Sequence, residues 1–499
     1  MAKKLILSIK SKLLTKYTSS INALEAVLHS LIASDQQRGI TSILIYIDQP
    51  TAASDYGFPV MTTVSDTACK QVIDSLFRTQ QPDYIVLFGA DDVFPFFLLD
   101  NHLHTIDKDV DQTVPSDYPY ACDAPASRDA TTYTNPIRVI GRIPDLPGIA
   151  DLAYVQGLVN DIIQFRSAAQ SDYQSYFAIS AAKWINSSLR TAQNIFNDSD
   201  SVLPSPPQTS NFQPQDLQPL SHYFNCHGRL NAPDFLGELN GNTPVCLSPA
   251  NLNGNIRKGT VVVAECCYGA QLLNPLNFGI SVASNYLKNH AIAFMGSTTM
   301  SFGMINDQDQ ADLLSQYFFK NVMNGASTGR ALLAAKIFFL KERTPNPVSF
   351  KTLAQFTLLG DPSVQPVAAP VTTGMLSTLS NRRLELISSG LNLGVTVPRP
   401  VKVSENIRFR PPAAMRAVLK QLFMTKAEHE MIFDVENSIA DTIFATQALP
   451  TGISPAASQK VRFRVYQQKE QEGVLPSVRL VVIKEAAGEI LGYKEYVSH

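Results

Sequence analysis

Cysteine is scarce. The chain of 499 residues has six, Cys69, Cys122, Cys226, Cys246, Cys266 and Cys267, scattered without the paired spacing of a disulfide framework. Reduced thiols are therefore expected. A zinc site built from Cys226, His227, Cys266 and Cys267 lacks a C-x-x-C spacing, and neighbours in an extended segment point to opposite faces; neither metal nor cofactor is implied. An excess of charge of one sign is also missing. Lys plus Arg (41) nearly balances Asp plus Glu (43), for a net charge of -2, so nothing calls for nucleic acid or an anionic membrane as partner. No stretch approaches the about 18 apolar residues that span a bilayer. The opening "MAKKLILSIKSKLLTKY" is interrupted by Lys10 and Lys12, too early for a signal peptide's apolar region of about 7–15 residues, so a cytoplasmic location is the expectation. No G-x-G-x-x-G follows a strand and no G-x-x-x-x-G-K-[ST] occurs, which ranks a nucleotide-binding protein last.

What the chain does have is apolar residues, 45% of the total, in short β-branched runs separated by stretches of helical period. The runs lie at Ile43–Ile47, Tyr84–Asp92, Ile137–Pro144, Tyr176–Ala182, Ser221–Gly228, Gly259–Cys267 and His290–Thr299, and "LILSI" near the start reads as a further strand leading into a helix. Such near-continuous runs predict strands buried on both faces of a parallel sheet. Helices are expected over Ala23–Ser34, Ala150–Ala169, Ile280–Lys288, Asp309–Val322 and Gly325–Lys341. The fold class is α/β. Ser199–Pro219 is the most loop-like interior segment, the region after Pro366 is Pro-rich, and the last runs alternate as a small antiparallel β-unit would.

Ligands of open parallel sheets collect beyond the carboxyl ends of the strands. Three runs end there in "NCHG", "ECCYG" and "GSTT". A thiol becomes a useful nucleophile when a base promotes the thiolate and backbone N–H groups await the oxyanion. His227 can be that base, and one strand–crossover–strand step separates it from the cysteine pair. Taken singly, His227 reads as a hydrogen-bonded strand-end histidine and Cys266 as a core thiol.

Together, and in order, these segments resemble the caspase/gingipain/legumain group of cysteine proteases, clan CD, and its gingipain branch in particular. "YIVLFGADDVFP", "PSDYPYA", "VIGRIP", "IAFMGSTTMSFG" and "FTLLGDPS" are similar to segments of that branch between about Ile43 and Ser363. The resemblance implies a caspase/gingipain-like parallel-sheet α/β/α sandwich with a smaller C-terminal β-rich domain. It divides the chain into an N-terminal α/β subdomain (1–165), a caspase-like catalytic subdomain (166–370), and a linker with a small β-rich domain (371–499). The branch's Cys-x-x-Gly pattern makes Cys266 the expected nucleophile; a caspase-type Cys-x-Gly spacing would select Cys267 instead. His227 is the expected base, and the N–H groups of Gly228 and Cys266 the expected oxyanion hole.

There are departures. The acids that orient the histidine and select arginine in gingipains are not visible after "YFAISAAKW", which leaves a backbone carbonyl as third catalytic member. Trp184, the only tryptophan, is a candidate pocket wall and equally a candidate core residue; Ser297 and Thr298 lie on the pocket strand; Asp307 and Asp309 are candidate acids for a basic substrate side chain. Asp117 and Asp361 are expected to cap turns, without a catalytic role. The function implied is a cytoplasmic cysteine endopeptidase acting on protein or peptide, controlled by an activating protein or upstream protease, in a bacterial defence or cell-death circuit. The competing expectation is an interaction module with a disabled site.

Overall fold

The computed structural model of the protein describes residues 1–104, 112–341, 345–368, 400–406, 411–422, 424, 427, 429–436, 460–470, 477–486 and 489–498. The Pro-rich linker expected after Pro366 falls largely outside them.

In chain order the strands are β1 (Ala2–Ser8), β2 (Ile40–Tyr46), β3 (Tyr84–Phe88), the hairpin β4 (Phe97–Asp100) and β5 (Thr113–Ser116), β6 (Ile140–Ile143), β7 (Tyr176–Ala181), β8 (Val202–Ser205) and β9 (Ser221–Asn225). There follow the short β10 (Phe235–Leu236) and β11 (Val245–Leu247), β12 (Val261–Ala264), β13 (Ala293–Ser297), β14 (Phe302–Gly303) and β15 (Phe356–Gly360). The last five are β16 (Pro400–Asn406), β17 (His429–Glu436), β18 (Lys460–Glu470), β19 (Ser477–Ala486) and β20 (Glu489–Ser498). Ten of them form one sheet in the order β2-β1-β3-β6-β15-β13-β12-β9-β7-β8. All its ladders are parallel except β13 with β15 and, as the sequence pattern demands, the central strands are buried throughout.

Helices cover both faces. Ile21–Gln37, Leu152–Gln164 and Val282–Lys288 pack together in one layer; Ile185–Phe196, Ala311–Met323 and Thr328–Lys341 form the other. The helix Ile185–Phe196 shows why: Ser187, Ser188, Thr191, Ala192, Ile195 and Phe196 bury one stripe at helical spacing. One expectation needs correcting. The segment read as loop, Ser199–Pro219, contains the edge strand β8, whose Pro204 removed the strand signal; an edge strand tolerates proline because one side makes no ladder.

Two buried cations, Lys4 and Arg142, tie the sheet to its connections. Lys4 Nζ on β1 meets Asp361 at 2.6 Å and Asp35 at 2.5 Å, all three side chains fully buried. Burial pushes Asp361 up, but Lys4 and Arg38 outweigh it and hold the carboxyl below its ordinary range. Asp361 accepts from the Ser363 N–H (2.9 Å), a turn role as expected. Asp117 differs: it is the buried partner of Arg142, which reaches it through Nε (3.0 Å) and Nη2 (2.5 Å) and also donates to the carbonyls of Gly89 and Phe94. The "SDY" and "GRIP" segments thus form one structural unit.

The C-terminal strands make a six-stranded antiparallel sheet, β14-β20-β19-β18-β17-β16. Alternation gives it two buried faces. Tyr466, Val481 and Ile483 meet Met415 and Leu419 of the helix Ala413–Gln421, while Phe463, Val465, Leu480 and Tyr496 pack on Phe302 and Val348 of the larger body.

Replacing Lys4 by Met strands a buried carboxylate. Lys4→Met is expected to lower the unfolding free energy by about 3–5 kcal/mol, the usual cost of breaking a buried pair; a loss under about 1 kcal/mol in denaturant titration would mean that Arg38 alone neutralises Asp361.

Candidate active site

β9 and β12 are parallel neighbours with Val261 opposite Ser221 and Ala264 opposite Phe224, and the Glu265 N–H continues the ladder to the Phe224 carbonyl (2.8 Å). Carrying that register forward sets Cys266 level with Cys226, and Cys267 level with His227. Alternation then separates them by face. Phe224 looks toward Phe235 and Tyr286, and the thiol of Cys226, on the same face, lies with those of Cys246 and Cys266 in the apolar core. Burial, reinforced by those two neighbouring thiols, pushes the Cys226 pKa well up. Asn225 looks the other way, donating to Ser188 at 3.0 Å, and His227 follows it, its ring 4.6 Å from that of Trp184.

Cys267 stands apart from that thiol cluster. Its Sγ accepts from the Ser301 N–H at 3.2 Å, and the thiol reaches the Ser301 carbonyl at 3.6 Å. A Cβ added to Gly228 would stand 1.7 Å from the Cys267 carbonyl oxygen, so only glycine lets the two strand ends approach this closely. Tyr268 follows with φ 54°, a left-handed conformation uncommon for a bulky residue, and its N–H is held by the Thr299 carbonyl at 2.9 Å. The turn presenting Cys267 is thus clamped to the end of β13.

The histidine has an acidic partner that sequence reasoning did not find. His227 Nε2 lies 2.5 Å from Glu238 Oε2, with both side chains almost completely buried. Backbone bonds fix the pair: His227 and Leu236 exchange both N–H···O contacts at 2.8 Å, and the Glu238 N–H donates to Ser205. Lys183 supplies the counter-charge at 3.1 Å from Glu238 Oε1. Burial pushes Glu238 up, but His227 and then Lys183 outweigh it and hold the carboxyl below its usual range. An ionised carboxylate only accepts, so Nε2 carries the hydrogen and donates it to Glu238.

The expected substrate-binding residues are dispersed. Trp184 is buried against His227. Ser297 and Thr298 are buried and bonded internally, to the Thr299 and Pro115 carbonyls. Asp307 is exposed and faces Arg190 at 3.4 Å. Asp309 is buried and engaged by Lys494 Nζ (2.5 Å) and the Tyr496 hydroxyl (3.1 Å), both on β20. Among the described residues no cluster of three His, Cys, Asp or Glu side chains could hold a metal.

Beneath the loop after β13, Glu265 and Asp312 are buried together, Asp312 accepting from the Ser187 hydroxyl at 2.5 Å. Burial raises both carboxyls, and each bears on the other.

A mostly parallel sheet that presents a histidine and a cysteine at adjacent strand ends, backed by a small antiparallel β-domain, defines a cysteine endopeptidase of the caspase and gingipain type. The chain belongs to peptidase family C25, whose profile matches residues 18–367. No curated protein matches it. Among solved structures, one described as "Structure of Protease" aligns over 99% of this chain and 96% of its own length, at 11% identity and a TM-score of 0.47.

Two outcomes follow from these carboxyls. Glu238→Gln keeps the shape but loses the charge, and is expected to lower kcat for peptide hydrolysis by about 10²-fold, within the range of a positioned acid–base system; unchanged kcat would make Glu238 structural only. For Glu265 and Asp312 the folded state holds protons that the unfolded chain releases. Their contribution therefore weakens as pH rises from about 4, the ordinary carboxylate value, through about 7, the value burial gives Asp312. Glu265→Gln should flatten that part of the stability profile relative to wild type, as read by denaturant titration at about pH 5 and about pH 8; parallel profiles would show that the pair holds no extra proton.

Proposed function

We propose that Cys267, rather than Cys266, is the nucleophile of this endopeptidase, with His227 as proton carrier and Glu238 as the residue that positions it. The observation behind this is the strand register, which sets Cys267 level with His227 and sends Cys266 into the thiol cluster of the core. His227 Nδ1 takes the thiol proton as Sγ bonds to the substrate carbonyl carbon. The oxyanion that forms is met by the N–H groups of Gly228 and Cys267. The C–N bond then breaks, the amine leaves with the proton from His227, and water attacks the thioester with His227 again as base. The acid product departs and the thiol is restored. A cytoplasmic location goes with this proposal, supported by six free cysteines, all buried. A role in regulated bacterial defence rests on the resemblance to clan CD proteases alone.

The test is a peptide library and a peptide acyloxymethyl ketone probe, applied to wild type, Cys267→Ala, Cys266→Ala and His227→Ala. Cys267→Ala and His227→Ala should lose at least about 10³-fold in turnover, as nucleophile and base act as a unit. Cys266→Ala should stay within a few-fold of wild type and keep its covalent labelling. The reverse pattern would return the nucleophile to Cys266, and no labelling of any form would favour the disabled module.

A further inference from the structure

β14 begins directly after Ser301, whose N–H is bonded to the Cys267 thiol, and runs away from it. β20 pairs with β14 antiparallel, Gly303 opposite Val497 and Phe302 opposite Ser498. β20 therefore runs toward the thiol. That is the direction of the residues preceding a scissile bond, which must lead their last carbonyl to the nucleophile.

The side chains of β20 are seated accordingly. Val497 packs with Ala181, Trp184 and Ile305, and Trp184 is the ring standing against His227. On the other side Tyr496 enters the apolar cluster with Phe302 and Val348; its hydroxyl donates to Asp309 and accepts from Asn346 (2.8 Å) and Gln310 (3.1 Å). Lys494 neutralises Asp309. The edge on which an extended peptide would add as a strand is thus filled by the chain itself.

We propose that β20 is an internal pseudosubstrate: it occupies the acyl-side groove and keeps the site closed until the C-terminal sheet is lifted from β14. Substrates then add as a strand to Phe302–Gly303 and place an aliphatic side chain in the Val497 pocket. The inference rests on Cys267 and His227 being the catalytic pair. The ladder to β14 is only two residues long, so the closure is held mainly by the buried Tyr496 and Val497 side chains.

The test uses the full chain as wild type, Val497→Asp and Lys494→Glu. Read-outs are probe labelling of Cys267, kcat and KM on an aliphatic-rich peptide library, and thermal unfolding. Val497→Asp should label and cleave at least about tenfold faster, since apparent affinity scales with the open fraction. Lys494→Glu, altering a half-exposed side chain, should rise by about threefold, and it carries the test if Val497→Asp unfolds. A synthetic peptide with the sequence Glu489–Ser498, added to Val497→Asp, should raise KM and leave kcat alone. Cleavage by both folded variants at the wild-type rate would overturn the pseudosubstrate and leave the peptidase assignment standing. Folded variants and wild type that neither label nor cleave would overturn the catalytic pair, and the inference with it.

Discussion

Two parallel strands, β9 and β12, lie side by side in fixed register, and side chains alternate along each. Everything at the site depends on that parity. Positions 224, 226 and 266 build the core under the helix Val282–Lys288, while 225, 227 and 267 face the helix Ile185–Phe196 and the loop after β13. A slip of one residue would exchange the two sets, putting His227 in the core and a thiol cluster in the cleft. Burial on both faces makes such a slip prohibitive. The close contact of Gly228 with the Cys267 carbonyl pins the register at the point where the strands end.

The sheet was legible because its strands are nearly continuous apolar runs, and the helices because their buried stripes repeat at helical spacing. His227 is marked in the sequence by its place at a strand end in an ordered set of family-like segments. The proposed choice of Cys267 over Cys266 rests on no such signal. Motif spacing counts residues to a glycine, whereas the facing thiol is decided by pairing with a strand about forty positions away, and a two-residue parity holds no local signal. Glu238 was hidden for a related reason: it reaches His227 by way of the β10 strand, whose two residues are too few to show a period. Asp309 is legible as an acid, but its partner Lys494 lies on β20, and no pattern near residue 309 announces it.

Buried charges do a consistent job in this fold. Arg142 holds the turn after β3 through the carbonyls of Gly89 and Phe94, Lys4 holds the end of β15 through Asp361, and Asp312 receives Ser187 beneath the loop after β13. The first two join a strand to a connecting segment, and the third joins the helices Ile185–Phe196 and Ala311–Met323. Such pairs contribute little net stability against apolar replacements, because desolvation offsets their attraction. What they supply is a single arrangement of the loops. That suits a site built from the ends of several strands, since a displacement of about 1 Å at the reacting groups is costly to catalysis.

A peptidase that recognises extended chains by strand addition needs an unpaired edge, and an unpaired edge invites association with any other exposed strand. β20 resolves both hazards with one interaction, covering the edge and excluding substrate from the thiol. The same interaction sets a limit. Each further residue of ladder, or a more buried partner for Asp309, would protect the edge better and lower the open fraction in proportion. Here the ladder is two residues long, and the rest of the attachment is carried by the buried side chains of Tyr496 and Val497. Attachment of the C-terminal sheet and catalytic rate are therefore opposed quantities, and selection for one is felt by the other through Phe302 and Gly303.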